Sequence, residues 1–399
     1  MKKSPLTIGF LGSSYPYKRN IIGISSQVRY KQIFGFNAFF SLWLFFLQKL
    51  HLRFSWYKIR RFFYLFVDLN LNHKLRQIDI LHFFNTINQG TTPWIATFEG
   101  TLPIYHVVDD PKIIKITDAT KVEKALRHLC APSCLQLIAL SHYTEHLQQT
   151  LLNQFPEFES EIASKIKVCY PPQKLLISSL SEKKLPSDEL SFLFVGRHFW
   201  RKGGYEVIKA FDRFIKSGKS PVKIKLTLIG DIAVTSGINV GQTLERQHEV
   251  ETIIAQNNWI EHLSTLSNPD LLQKMKETHV GLLPTYADTF GYSVLEMQAC
   301  GCPVISTNVQ ALPEINSDKC GWLIHLPKTS LGHALYQTAS EQSLLSATIQ
   351  QQLEEILYSI VAHPEIIAQK AQNALIQLAE QHSPEKYAEQ LEMIYHHVR

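Results

Sequence analysis

Residues 282–307 read LLPTYADTFGYSVLEMQACGCPVIST. With its lead-in at 279–281, the stretch opens on a short apolar run, HVGLLP, of the length of a buried strand. A polar loop follows at 285–291. A helix is expected over 292–300, ended by Gly301 as C-cap with Pro303 just beyond it, and CPVIST is the next strand. Strand, loop, helix, strand is the repeating unit of a doubly wound sheet. Packing alone gives no reason for the two acids it carries, Asp288 on the loop and Glu296 in the helix.

The same alternation extends outward in both directions. LSFLFVGR (190–197), a helix from Gly204, and VKIKLTLIGD (222–231) precede the opening stretch. An earlier series holds LTIGFLG (6–12), a helix expected to begin near GISSQVRYKQIF (23–34), DILHFF (79–84), WIATFE (94–99) and QLIALS (136–141). After the last strand comes the helical HYTEHLQQTLLNQF, with Ser141 as N-cap. Residues 173–189, QKLLISSLSEKKLPSDE, are polar and without a period, as a linker is. The expected architecture is α/β: two Rossmann-like, doubly wound domains facing a central cleft. The expected boundaries are 1–172, a linker at 173–189, 190–365, and closing helices over 366–399, the last returning to the first domain.

With 399 residues, 45% apolar and 19% charged, the chain has the composition of an ordinary globular protein. Its net charge of +5 is unevenly spread, because residues 1–70 hold eleven Lys or Arg and one acid, Asp68. Such a basic segment is suited to a negative surface. The six cysteines form no paired C-x-x-C set, and buried reduced thiols are expected, in keeping with a cytoplasmic location. The amino-terminal MKKSPLTIGFLGSS is interrupted by two glycines and has no small-residue cleavage site, so it reads as a first strand.

Residues 33–66 stand apart: IFGFNAFFSLWLFFLQKLHLRFSWYKIRRFFYLF. Their uncharged part is shorter than the roughly 20 residues a spanning helix needs. Cations interleaved with Trp56, Tyr57, Phe62 and Phe63 suit an anionic membrane surface, with peripheral attachment on its inner face. A core helix followed by a solvated basic one is the alternative. No nucleic-acid-binding motif accompanies the basic residues, and no nucleic-acid partner is expected.

Arg197 and Lys202, in GRHFWRKGG, fall between a strand and a helix, at the carboxyl edge where open α/β sheets bind ligands. Two cations there can neutralise a diphosphate, although solvated turns carry such pairs too. Carboxylates accept paired hydrogen bonds from vicinal hydroxyls, so Asp288 and Glu296 can hold sugars. Gly291 lets the backbone approach, and the amides at the helix start favour an anion.

GRHFWRKGG together with PTYADTFGYSVLEMQACGCPVISTNVQALPEI resembles the retaining GT-B glycosyltransferases, most of all glycosyltransferase family 4. The likeness covers about 190–327 and rests on G-R-x(4)-K-G and on an acid-x(7)-E pattern with F-G inside it. It implies a GT-B fold and transfer of a hexose from a nucleotide-diphosphate donor to a glycan or lipid-linked acceptor, in cell-surface polysaccharide or glycolipid assembly. It also implies retention of configuration with no metal and no cofactor, the nucleotide sugar being a co-substrate. Carried over, Arg197 and Lys202 bind the diphosphate and Glu296 the ribose. Asp288 holds the transferred sugar with the amides of Gly291, Tyr292 and Ser293; Gly196 and Phe290 complete the donor motifs. Gly12 and Gly23 stand for the first domain's glycine loop, which usually has paired glycines. Glu99, at the end of a strand beside Gly100, is a candidate for the reacting centre, or a capping acid; His82 and His106 are candidates for lining the cleft. Asp288 replaces the family's usual Glu, one methylene shorter. That departure motivates an alternative: an inactive sugar-nucleotide-binding or scaffolding partner of the same fold.

Overall fold

The computed structural model describes residues 5–12, 14–33, 77–183, 188–233 and 241–397. The aromatic and basic stretch 33–66 lies, except for Ile33, outside the described residues. By its internal contacts the chain divides into two compact units. The first comprises Met1–Asp110, Ile114–Pro172 and Pro384–Arg399; the second comprises Pro111–Ile113 and Gln173–Ser383.

In the first unit, β1 (Thr7–Phe10), β2 (Arg29–Gln32), β3 (Ile80–Phe84) and β4 (Trp94–Phe98) are followed by a small antiparallel pair, β5 (Val107–Asp109) and β6 (Ile114–Ile116). Then come β7 (Cys134–Ala139) and β8 (Ile166–Val168). The main sheet is parallel, in the order β2-β1-β3-β4-β7-β8. Its central strands β3 and β4 are buried throughout without alternation because both faces are covered, whereas the edge strands β2 and β8 carry cations. Ile8, Ile80, Ile95 and Ile138 from four strands meet Leu391, Ile394 and Tyr395 of the helix Pro384–His397 in one buried cluster.

One expected element is different. Residues 24–28 are irregular and Arg29–Gln32 is a strand, paired in register from Thr7↔Arg29 to Phe10↔Gln32, where the sequence reading expected a helix to begin. The helix lies earlier, at Tyr15–Asn20, with proline in its first turn, where a missing amide costs no intrahelical bond. Gly23 follows it in a turn at φ +75.

The second unit contains β9 (Glu189–His198), β10 (Lys223–Asp231), β11 (Ile260–Leu263), β12 (Val280–Leu283), β13 (Val304–Thr307) and β14 (Trp322–Ile324). All pair in parallel, in the order β11-β10-β9-β12-β13-β14. From β9 the chain runs to one side through β10 and β11, then crosses to the other at β12. That reversal puts a crevice at the carboxyl ends of β9 and β12, the place where such sheets take ligands. Residues 173–183, read from the sequence as linker, lie against this unit: Leu176 N–H donates to Ala299 O at 2.9 Å and Ile177 is buried.

Candidate functional site

The β9 edge is built first. Arg197 is exposed, one residue before the strand ends at His198, so it belongs to the strand rather than to the loop. A tight turn follows, in which Lys202 N–H donates to His198 O (2.9 Å) and Gly204 N–H to Phe199 O (3.0 Å). Gly203 caps the next helix, Gly204–Lys216, at φ +83, and a Cβ there would stand 2.1 Å from Pro284 O. Only glycine allows that approach. Gly196 lies under the stem of Lys202, where a Cβ would come 2.8 Å from the lysine's own.

The β12 edge is tied to this turn. Tyr286 N–H donates to Arg201 O (3.0 Å), and Arg201 Nη1 donates to Ala287 O (2.8 Å). Lys202 Nζ and Asp288 Oδ2 form an ion pair in which each side chain is about 15% exposed. Burial lowers the Lys202 pKa and Asp288 opposes that shift. The other oxygen of Asp288 accepts from Gly291 N–H (3.0 Å) and Phe290 N–H (3.4 Å). Gly291, at φ +90, is the N-cap of the helix Tyr292–Ala299. The amide of Gly291, expected to face a bound sugar, is thus taken by Asp288. Tyr292, Ser293 and Glu296 are half-buried on the first two turns of this helix, and Phe290 is buried beneath it.

Two participants escaped the sequence reading. Gln310 accepts the Asp288 N–H through Oε1 and meets His333 Nδ1 through Nε2 (3.4 Å), with its own backbone in the left-handed region at φ 50. No local pattern announces it. Glu206 is buried in the helix after Lys202 and accepts from Tyr286 Oη (2.8 Å) and Ser346 Oγ (2.7 Å) on one oxygen. Burial raises its pKa, and its other oxygen has no hydrogen-bond partner among the described residues. An acid on the apolar face of GYEVIKAF was its only signal.

The remaining candidates lie in the first unit. Gly12 follows β1, half-buried, with ordinary space above it, and Gly23 is exposed. Glu99 follows β4 and is clamped by Asn85, whose Nδ2 donates to Glu99 Oε1 (3.3 Å) while its Oδ1 accepts the Glu99 N–H (3.1 Å). His106 borders a cavity within this unit. His82 does not line an opening: it is wholly buried between Tyr395 Oη (2.7 Å) and Thr97 Oγ1 (2.8 Å), because β3 turns it into the core. Among the described residues, no group of three or more His, Cys, Asp or Glu is placed to hold a metal ion. No described helix is long and apolar enough to cross a membrane. All six cysteines are free thiols, and only Cys130 is not buried.

The turn after β9 and the loop after β12 are thus joined by an ion pair at the point where the strand order of the sheet reverses. Residues 179–352 match the family model of the glycosyl transferases group 1. That match spans less than half of the chain. A D-inositol 3-phosphate glycosyltransferase of Paenarthrobacter aurescens is 27% identical over 140 residues, 35% of this chain and 32% of the relative. The match therefore spans about a third of that relative's length. Likeness to solved structures is more extensive and shows the fold. A glycosyltransferase from Rickettsia africae superposes with a TM-score of 0.59 at 13% identity, covering 99% of this chain and 98% of that one. Anabaena HepE, solved in complex with UDP and glucose, gives 0.56 at 16% identity over 97% and 98%. The chain has the GT-B fold of glycosyltransferases.

Proposed function

We propose that this protein transfers a hexose from a nucleotide-diphosphate sugar to a glycan or lipid-linked acceptor, retaining the anomeric configuration and using no metal. The observation that carries the reading is the joining of Lys202 to Asp288 across the β9–β12 switch point, beside the exposed Arg197. The match to the group 1 family model and the GT-B neighbours, one of them solved with UDP and glucose, support it.

In this reading Arg197 and Lys202 face the diphosphate. As the anomeric C–O bond breaks, charge grows on the leaving phosphate oxygen, and fixed cations stabilise that charge more than the ground state. The acceptor hydroxyl adds from the same face and gives its proton to the departing phosphate. Asp288, released from Lys202 when the diphosphate takes that cation, accepts hydroxyls of the transferred sugar; Glu296 accepts those of the ribose. Glu99 has its position beside Asn85 fixed and serves the acceptor side. Assembly of a surface polysaccharide or glycolipid, with the 33–66 stretch resting on the inner face of the membrane, belongs to the same proposal.

A thermal-shift series of nucleoside diphosphates, followed by turnover of the nucleotide sugar that shifts most and by NMR of the product anomer, tests it. Arg197→Ala and Lys202→Ala should each lower kcat by about 100-fold or more with circular dichroism unchanged. Near-normal turnover removes them from the mechanism, and an inverted product removes retention. One feature favours a second reading, an inactive binding or scaffolding partner: Asp288 stands where the resembled family has the longer Glu. No turnover by wild type or by Asp288→Glu, with nucleotide binding intact in both, would establish that reading instead.

A further inference from the structure

The first unit carries an open cavity of about 300 Å³, formed by the segments that follow β3 and β4 and by the helix Ala119–Cys130. It thus lies beyond the carboxyl ends of two adjacent parallel strands, the edge at which such sheets present ligand sites. Its walls differ in chemistry.

One wall is aliphatic: Leu102, Pro103 and Ile104. Its backbone is kept from the cavity, because buried Gln148 takes both polar groups of Leu102, accepting the N–H (2.7 Å) and donating to the carbonyl (3.0 Å). Two polar residues of the β3 loop are engaged as well, while Gln89 also lines the space. Thr86 Oγ1 donates to Phe84 O (3.0 Å), and Asn85 is bound to Glu99. The opposite wall is the helix face bearing Lys121, Lys124 and His128, spaced so that all three lie on one side. Lys121 is paired with Asp118, whereas Lys124 is exposed and has no ion pair among the described residues. Burial and the nearby Lys124 charge lower the pKa of His128, which places the lysine's field at the cavity wall. Among the described residues, no acidic side chain lines the space.

A neutral sugar needs free carboxylates or amides to accept its hydroxyls, and this lining offers few. An apolar segment ending in an anion matches both walls. We infer that the cavity binds the acceptor through an apolar segment bearing an anionic group, phosphate or carboxylate, with the Leu102–Ile104 wall taking the segment and Lys124 the charge. The word acceptor rests on the glycosyltransferase reading above; the ligand chemistry rests on the cavity alone.

Titration calorimetry on the full chain, at low salt and below micelle-forming concentrations, tests this with n-octyl phosphate, octanoate, n-octyl glucoside and inorganic phosphate. At least one of the two octyl anions should bind ten times or more tightly than the glucoside or inorganic phosphate, and which one does so identifies the anion. Lys124→Glu, on an exposed position, should weaken that binding at least tenfold, and Ala125→Trp, which fills the space, should abolish it. Equal binding of octyl glucoside, indifference to Lys124→Glu, or no binding by either octyl anion overturns the inference. The melting-point rise produced by nucleoside diphosphates is read on the same samples. If it persists while octyl-anion binding fails, the cavity inference falls and the donor reading stands. If it is absent while octyl anions bind as described, the donor reading falls and the cavity stands as a site for anionic amphiphiles.

Discussion

Lys202 illustrates how a single residue's role depends on its surroundings. A lysine in a glycine-rich turn is usually solvated, yet here it is about 14% exposed, paired with Asp288, and held over Gly196. Two neighbouring positions make separate predictions. Gly203→Ala places a Cβ against Pro284 O in a left-handed backbone, so it should lose more than the roughly 1–2 kcal/mol of the conformational term alone. Urea denaturation measures this, and a loss under 1 kcal/mol would mean the turn relaxes. At Gln310, Ala combines the left-handed strain with a lost acceptor for the Asp288 amide, whereas Gly removes only the acceptor. Gln310→Gly should therefore be more stable than Gln310→Ala by about 1 kcal/mol, while both weaken nucleotide-sugar binding. Equal stability of the two would show that the positive φ costs nothing there. Neither Gln310 nor Glu206 was legible in the sequence, because their partners lie 22 and 80 residues away.

Among elements, β3 and β4 are joined to the last helix by one polar chain. His82 Nδ1 is hydrogen-bonded to Tyr395 Oη (2.7 Å) and His82 Nε2 to Thr97 Oγ1 (2.8 Å), and burial keeps the Tyr395 hydroxyl protonated. Desolvation lowers the His82 pKa to about 3, against about 6.5 when exposed. As the pH falls below 6.5 the unfolded chain takes a proton that the folded one refuses, and stability is lost progressively toward pH 3. Between pH 7 and 4 this group should withdraw about 3 kcal/mol. His82→Gln should flatten that part of the profile in denaturation measured at each pH; an unchanged slope would assign the acid sensitivity to other groups. The strands themselves were legible as short apolar runs, since each is buried on both faces. The helix expected near residue 23 was not there: whether RYKQ pairs beside β1 is settled by the neighbouring strand rather than by its own residues.

For the whole molecule, the chain's last segment completes its first unit. Tyr387, Leu391, Ile394 and Tyr395 are all buried in the cluster beneath β1, β3 and β4. Each such side chain contributes about 1.5–3 kcal/mol on burial, and a domain's total stability is about 5–15 kcal/mol. Ending the chain after Ser383 should therefore unfold the first unit while the second survives. Limited proteolysis should leave a resistant fragment close to 173–383; equal resistance of both units would mean that the last helix is dispensable.

The sequence by itself determined the alternation of strands and helices, the positions of the basic turn after β9 and the acidic loop after β12, and the glycines that permit the turns at 203 and 291. These are local properties, set by apolar period and by backbone conformations that a single residue type allows. Only the tertiary structure decided that Asp288 is bound to Lys202 and to its own helix amides, that His82 is a core residue, and that a cavity with one aliphatic and one basic wall opens beside β3 and β4. The physical reason is range: hydrogen bonds, ion pairs and cavities join groups distant in the chain, and neither period nor spacing encodes which of them will meet.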